Sequence, residues 1–172
     1  MDKIQAHFSG DSVFSTSHEA YTLYEKSNFG EKSDGKIVYS LAEALFLVEK
    51  QKMQILWKNK PVLKDELFSK FKKIDRRINV KYPVFRDLRN KGYVVKTALK
   101  FGADFRVYEK GSKPGNKHSS WIVFADNESK SFSWQEFSSK NRTAHSTKKK
   151  LLIAVVDEEQ DVTYYESSWI KM

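Results

Sequence analysis

The half of the chain after Gly92 consists mainly of short strand-like runs, and this pattern constrains the fold more than any other feature. Apolar, aromatic and β-branched residues dominate five runs that charged or turn-forming residues separate. One helix candidate, residues 133–145, interrupts them, and Ser133 with Glu136 gives it a capping box. The pattern predicts a sheet-based C-terminal domain. The five runs are YVVKTAL, DFRVYEK, SSWIVFA, LLIAVVD and VTYYESSW.

The first 90 residues alternate between strand-like and helix-like segments. Residues 3–16 predict two short strands with a turn at Gly10-Asp11, and GKIVYS and MQILWK predict two more. Helix signals occur at four places. They are residues 18–30 ending at Gly30, residues 40–53 capped by Ser40 and Glu43, a segment with Pro61 in its first turn, and a segment from Pro83 to Gly92.

The helix predicted to follow Pro61 has one apolar and one basic side. Its apolar face is formed by Leu63, Leu67, Phe71 and Ile74. Its other side carries the cationic residues Lys70, Lys72, Lys73, Arg76 and Arg77.

The change in pattern near residue 85 predicts two domains. We place a domain over residues 1–83 and a second over residues 84–172. The predicted fold class is α+β, with a small N-terminal α/β domain packed on a C-terminal mixed-sheet domain. No Pro/Gly-rich linker separates the halves, which favours packing between them.

Composition narrows the function classes. The net charge of +9 favours a polyanionic partner such as nucleic acid, although a lysine-rich solubilising surface explains it equally well. The chain has no cysteine, and its four histidines lack metal-ligand spacing, so no metal site and no cofactor are predicted. Without a long apolar stretch or an N-terminal apolar leader, the chain is predicted to be a soluble cytoplasmic protein.

The segment YEKGSKPGNKHSSWIVFA, from Tyr108 to Ala125, joins two predicted strands through a short cationic loop. Strand alternation puts Tyr108 on the same strand face as Arg106, and this face is predicted to be the more solvent-exposed one. Tyrosine ordinarily ionises near pH ~10 and is a poor base. His118 opens the next strand, and histidine is well suited to proton transfer near neutral pH. Taken singly, each has an ordinary structural explanation.

A cationic cluster runs directly into a continuous apolar strand in KNRTAHSTKKKLLIAVV. Such a strand is predicted to lie inside a sheet, and a lysine at the start of the strand can stabilise negative charge that develops on a phosphate. A solvated charge run explains Lys148 and Lys150 equally well. Tyrosine, histidine and lysine together supply a base, an acid and a cation for metal-free RNA cleavage.

From about Gly35 onward, the chain resembles the archaeal tRNA-splicing endonucleases. GKIVYSLAEALFLVEKQKM resembles their N-terminal strand–helix signature. YPVFRDLRNKGYVVKTALKFGADFRVYEKGSKPGNKHSSWIV and RTAHSTKKKLLIAVVD resemble two blocks of their catalytic domain. The order and spacing of these motifs agree with the family, and the first 30 residues match less distinctly.

The resemblance implies roles for individual residues. Tyr108 matches a tyrosine assigned as general base, and His118 matches a histidine assigned as general acid. Lys149 matches the lysine that stabilises the transition state, with Lys148 or Lys150 in its place if the register slips by one. Arg142 matches an arginine that stacks on a flipped-out base. Trp169 is the candidate for the residue that stacks on the opposite face of that base. The loop lysines Lys113 and Lys117 are predicted to meet the RNA backbone.

The resemblance also implies a substrate and an assembly. The family cuts precursor tRNA at bulge–helix–bulge structures, leaving a 2′,3′-cyclic phosphate and a 5′-hydroxyl. A chain this short resembles single-repeat subunits, which form homotetramers or heterotetramers with a non-catalytic sister subunit. An acidic turn is predicted to insert into a basic cleft of a neighbouring subunit, although a plain polar hairpin also fits its sequence. Its carboxylates are Asp157, Glu158, Glu159 and Asp161.

Two other functions are compatible with parts of this pattern. A non-catalytic RNA-binding or structural subunit of the same complex would lack one or more of Tyr108, His118 and Lys149, and all three are present. A metal-dependent nuclease would need acidic ligands clustered before a lysine, and the acidic residues between 93 and 156 show no such cluster.

Overall fold

The computed structural model describes residues 2–172, and the chain divides into two compact units between Tyr82 and Pro83. Each unit is built around one mixed sheet, with six strands in the first and five in the second. Helices accompany both sheets, which confirms the predicted mixed α/β fold class.

The N-terminal unit contains the first six strands and three complete helices. Its sheet has the order β3-β4-β2-β1-β5-β6, in which β1 and β5 are parallel and the other pairs are antiparallel. A fourth helix, α4 (Ile78–Asn90), contains the division between the units. The elements of the first unit are β1 (Ile4–Ser9), β2 (Ser12–Ser15), α1 (His18–Ser27), β3 (Glu31–Ser33), β4 (Lys36–Tyr39), α2 (Leu41–Glu49), β5 (Met53–Trp57), β6 (Lys60–Pro61) and α3 (Lys64–Ile74).

The predicted capping box of α2 is present. The Ser40 hydroxyl accepts a hydrogen bond from the Glu43 backbone N–H at 3.2 Å, and the Glu43 carboxylate accepts one from the Ser40 N–H at 3.0 Å. Glu43 is buried, and its other oxygen accepts from the Gly30 N–H at 3.0 Å. Gly30 has a φ of 75°, and a Cβ there would lie 2.3 Å from the Ile37 side chain. Glycine is therefore required at this close approach.

Both proline-based helix starts are wrong. Pro61 lies in the edge strand β6 opposite Leu56, where a missing N–H is tolerated, and α3 begins at Lys64. Pro83 lies inside α4, which begins five residues earlier at Ile78. A capping-type residue, Asp75, does precede this helix, and its carboxylate accepts a hydrogen bond from the Arg77 N–H at 2.9 Å.

Two other N-terminal predictions need correction. The first helix ends at Ser27, before Gly30, because Asn28 adopts the left-handed conformation and closes it. The apolar face of α3 is narrower than predicted. Leu67 and Phe71 are buried, whereas Leu63 precedes the helix at 79% exposure and Ile74 is 42% exposed at its end.

The C-terminal unit has five strands at the predicted places and the predicted capped helix. The Ser133–Glu136 capping box is formed at the start of this helix. The elements are β7 (Val94–Ala98), a 3₁₀ turn (Leu99–Phe101), β8 (Ala103–Tyr108), β9 (Trp121–Asn127), α5 (Trp134–Ser146), β10 (Lys150–Val156) and β11 (Val162–Ser167).

The second sheet has the order β11-β10-β9-β8-β7. Strands β9 and β10 are parallel, with α5 as their crossover, and the remaining pairs are antiparallel. The apolar strand β10 therefore lies inside the sheet, as predicted. The core between α5 and the sheet consists of Ala98, Ala103, Ile122, Phe124, Ala144, Leu151 and Ile153.

Candidate active site

The topology of the second sheet brings three chain segments to one edge. Strand β8 ends at Tyr108, and its antiparallel neighbour β9 begins at Trp121, so the connecting loop starts and finishes at this edge. Strand β10 runs parallel to β9 and begins opposite it, with Lys150 paired to Trp121. The end of β8, the approach to β9 and the turn before β10 are consequently neighbours in space.

A cavity of about 270 Å³ opens at this edge, and Tyr108, His118 and Lys149 all line it. These three residues lie ten and 31 positions apart along the chain, and the sheet alone brings them together. The remaining lining residues are Phe101, Arg106, Gly115, Asn116, Lys117 and Ser119.

Tyr108 is buried, contrary to the prediction that it lies on a wetter strand face. Its exposure is 4%, whereas His118 is exposed. Alternation along β8 fails as a guide because the following loop returns over the end of the strand. Gly115 and Asn116 of that loop line the same cavity as Tyr108. Tyr108 is thus buried as a residue but still lines this small cavity.

The end of α5 holds Lys149 in place. Lys148 has a φ of 55°, its N–H donates to the His145 carbonyl at 3.0 Å, and the Lys149 N–H donates to the Ala144 carbonyl at 2.9 Å. This pair of bonds is the Schellman motif, which fixes the direction in which the chain leaves a helix. The Lys149 ammonium lies 3.3 Å from the Thr147 carbonyl oxygen, which accepts a hydrogen bond from it.

The three adjacent lysines have different surroundings. Lys149 is half-buried and lines the cavity with Tyr108 and His118, whereas Lys148 and Lys150 are exposed and do not line it. The Lys150 ammonium forms a salt bridge of 2.9 Å with the Glu166 carboxylate on β11. The geometry therefore favours the middle lysine as the cation of the site.

A larger open cleft adjoins the cavity, with His118 and Lys149 lining both. Trp121 and His145 also line it, and the sequence had not distinguished either residue. Glu166 accepts hydrogen bonds from the Trp121 ring N–H at 2.7 Å and from Lys150. These two bonds hold the pKa of the Glu166 carboxyl below its ordinary value.

Of the other predicted RNA contacts, Lys117 lines the small cavity, whereas Arg142, Trp169 and Lys113 line neither the cavity nor the cleft. Arg142 is exposed on α5, one turn before His145. Trp169 packs edge-on against the His145 ring with 4.2 Å between ring centroids, and it is 59% exposed. In the β8–β9 loop, Lys117 lines the small cavity and Lys113 is exposed but does not line it.

The acidic segment after β10 forms a tight turn. The Asp157 carboxylate accepts a hydrogen bond from the Asp161 N–H at 2.9 Å, so this side chain stabilises the turn itself. Glu158, Glu159 and Asp161 are exposed. Strand β11, which follows the turn, is an edge strand of the sheet and pairs with β10.

The part of the chain that the structure describes has neither a metal-ligating cluster nor a helix that could span a membrane. No group of three or more His, Asp or Glu side chains there is arranged to hold a metal ion. Among residues 2–172, no helix combines the length and the apolar character needed to cross a bilayer.

Comparison with known families defines the class of protein to which this fold and site correspond. A model of the tRNA intron endonuclease catalytic C-terminal domain matches residues 78–164, and a model of the N-terminal domain of the same family matches residues 4–68. The chain belongs to the tRNA intron endonuclease family, and it is therefore an endonuclease by class.

Individual relatives match almost from end to end. A tRNA-splicing endonuclease of Thermococcus onnurineus is 40% identical over 171 residues, which cover 99% of this chain and 98% of the relative. One from Pyrococcus abyssi is 39% identical over 169 residues, covering 98% and 97%. One from Nanoarchaeum equitans is 39% identical over 137 residues, covering 76% and 88%. The resemblance inferred from the motifs is thus confirmed over both domains.

Proposed function

We propose that the chain excises introns from precursor tRNA by cutting at bulge–helix–bulge structures without a metal ion. The observation that carries this proposal is the single cavity lined by Tyr108, His118 and Lys149. The hydroxyl of a buried tyrosine, an exposed imidazole and a positioned ammonium are groups that can catalyse the transesterification of RNA. The family to which the chain belongs supports precursor tRNA as the substrate.

The proposed chemistry assigns one role to each residue. Tyr108 accepts the proton of the ribose 2′-OH or orients that hydroxyl, and the 2′-oxygen attacks the adjacent phosphorus. The bond from phosphorus to the 5′-oxygen then breaks, and His118 donates a proton to the departing oxygen. Lys149 stabilises the negative charge that develops on the phosphate oxygens. The products carry a 2′,3′-cyclic phosphate and a 5′-hydroxyl.

The exposed cationic and aromatic side chains beside the cleft are proposed to hold the RNA. Arg142 and Trp169 sandwich an unstacked base, with Trp169 supported by the His145 ring. Lys113 and Lys117 of the β8–β9 loop contact the backbone phosphates. Shape, rather than base sequence, is then the main determinant of the cleaved site.

The function is tested by incubating the purified chain with intron-containing precursor tRNA in the presence of EDTA. We expect two cuts, an excised intron whose 5′-hydroxyl is phosphorylated by polynucleotide kinase without prior phosphatase treatment, and 3′ ends that carry a cyclic phosphate. Mature tRNA without the intron serves as the uncut control.

Two results would contradict this proposal, and each would indicate a different function. Cleavage that stops in EDTA and returns with added Mg²⁺ would indicate a metal-dependent nuclease. Tight RNA binding without cleavage, with or without metal, would indicate a non-catalytic RNA-binding subunit or a requirement for a second polypeptide.

We further propose that the chain works as a tetramer, alone or with a sister subunit, and that the acidic turn holds neighbouring subunits together. The exposed carboxylates of Glu158 and Glu159 would repel RNA, which favours a basic protein surface as their partner. The edge strand β11 offers a second surface for association.

Neutralising the acidic turn is expected to weaken assembly. In the Glu158→Gln/Glu159→Gln variant, the mass in solution falls toward that of a smaller species. The difference from the unmodified chain is greatest at low salt, because high salt screens the attraction that the variant lacks. Asp157 is left unchanged because it stabilises the turn. The matched control is Asp11→Asn/Glu128→Gln, which removes two exposed carboxylates elsewhere. Equal masses for both variants, measured by light scattering, would contradict this role.

A further inference from the structure

One segment of the N-terminal unit is strongly basic. Residues 50–81 contain eleven of the 31 Lys and Arg residues but only three of the 22 Asp and Glu residues, a net charge of +8. The other 140 residues together carry +1. This small sum combines a net charge of −4 in the rest of the N-terminal unit with +5 in residues 83–172, the unit that contains the candidate active site. Long-range attraction of a polyanion by this chain therefore has two sources, this segment and the C-terminal unit.

Within this segment, the half-buried Trp57 packs against lysine side chains from a hairpin and from a helix. Strands β5 and β6 form a hairpin whose two-residue turn is Lys58-Asn59, both at positive φ. Lys60 lies directly opposite Trp57 in this hairpin, so both side chains are on the same face. The Lys58 ammonium lies 4.9 Å from the centroid of the Trp57 ring.

Helix α3 completes the cluster. The Lys70 ammonium lies 3.5 Å from the centroid of the Trp57 ring. Lys73 is exposed and lies one turn further along the same side of α3. We refer to Trp57, Lys58, Lys60, Lys70 and Lys73 as the Trp57 patch.

Three of the four lysine charges of this patch are available for a ligand. Lys58, Lys60 and Lys73 are exposed, and none of them forms an ion pair with any of residues 2–172. Lys70 pairs with Glu66 at 3.2 Å and also packs on the tryptophan. Cation–π packing restrains flexible lysine side chains, and restrained charges lose less conformational entropy when they bind a phosphate.

We propose that the Trp57 patch binds the phosphodiester backbone of the RNA substrate. The patch holds no carboxylate or imidazole of its own, so it contributes to binding and not to bond cleavage. Its contacts are with phosphates and are therefore independent of base sequence. This inference rests on the proposed function for the identity of the RNA. The contact itself requires only the phosphodiester backbone of a nucleic acid.

The test compares Lys60→Gln/Lys73→Gln with the matched variant Lys3→Gln/Lys26→Gln, which removes two exposed lysines from the same unit but outside the segment. Affinity for precursor tRNA and for mature tRNA is measured as a function of salt. We expect the patch variant to bind both RNAs roughly tenfold more weakly near 0.15 M salt, with the slope of log K against log salt reduced by about 2. Its KM for cleavage rises by a similar factor and its kcat does not change.

The test of the patch can be distinguished from a failure of the proposed function, because binding and cleavage are measured separately. If the unmodified chain does not cut precursor tRNA, the proposed function fails, and the two binding measurements still decide the role of the patch. If the patch variant has the same affinity and slope as the control, the inference is wrong. It is also wrong if the patch variant shows a reduced mass in solution, because the patch would then hold an acidic segment of a neighbouring subunit.

Discussion

Replacing His118 with alanine is expected to reduce the kcat for cleavage of precursor tRNA by about 10²- to 10⁴-fold, the range typical of a lost general acid. This loss corresponds to about 3–5 kcal/mol of transition-state stabilisation. His118 is exposed and forms part of the wall of the small cavity, so its removal leaves the sheet core intact. RNA affinity and thermal stability should therefore change little.

The control for this substitution is His145→Ala. His145 lines the larger cleft together with His118, but it does not line the cavity that contains Tyr108 and Lys149. Single-turnover kinetics separate binding from chemistry in both variants. A His118→Ala protein that cleaves at the normal rate, or an equal loss of kcat in the two variants, would refute the assignment of His118 as the acid.

Replacing Lys149 with alanine is expected to lower kcat by about 10²- to 10³-fold, the effect commonly seen when one stabilising group of a developing anion is removed. The ammonium belongs to a half-buried residue at the cavity, where attraction to the phosphate is screened less than at the surface. The measurement is single-turnover cleavage at saturating enzyme, which removes any contribution from weaker binding.

The adjacent lysines provide matched controls that test the register directly. Lys148→Gly removes one charge and suits the left-handed conformation at this position, so the turn that orients Lys149 is preserved. Lys150→Gln removes the salt bridge with Glu166. Both variants should retain kcat within a few fold. If either loses more activity than Lys149→Ala, the cation of the site has been assigned to the wrong lysine.

Much of the secondary structure follows from local sequence signals. The two capping boxes at Ser40 and Ser133 correctly mark the starts of α2 and α5, because their hydrogen bonds involve residues only three positions apart. The continuous apolar run of β10 correctly predicts an internal strand. Proline was a poorer guide, since Pro61 occupies an edge strand and Pro83 the interior of a helix.

The surroundings of the candidate site residues were less predictable. Strand alternation predicted that Tyr108 lies on the more solvent-exposed face of β8, but this residue is buried. The β8–β9 loop lines the same cavity, and local sequence signals do not determine the course of that loop. Trp121 and His145 were missed because no short motif marks them, and their place beside the cleft depends on the pairing of β9 with β10. The basic side of α3 was visible, but its association with Trp57 depends on the β5–β6 hairpin.

The sequence by itself determined the class of this protein, its family motifs and the identities of Tyr108, His118 and Lys149 as candidates. Residue type and spacing left each of the three residues with an ordinary structural explanation, and the resemblance of whole motifs to a known family singled them out. That resemblance is a property of the chain alone. Only the tertiary structure decided that the three residues share one cavity and that the middle lysine of three faces it. Segments so distant along the chain become neighbours only when β8, β9 and β10 pair, and burial of the sheet core drives that pairing.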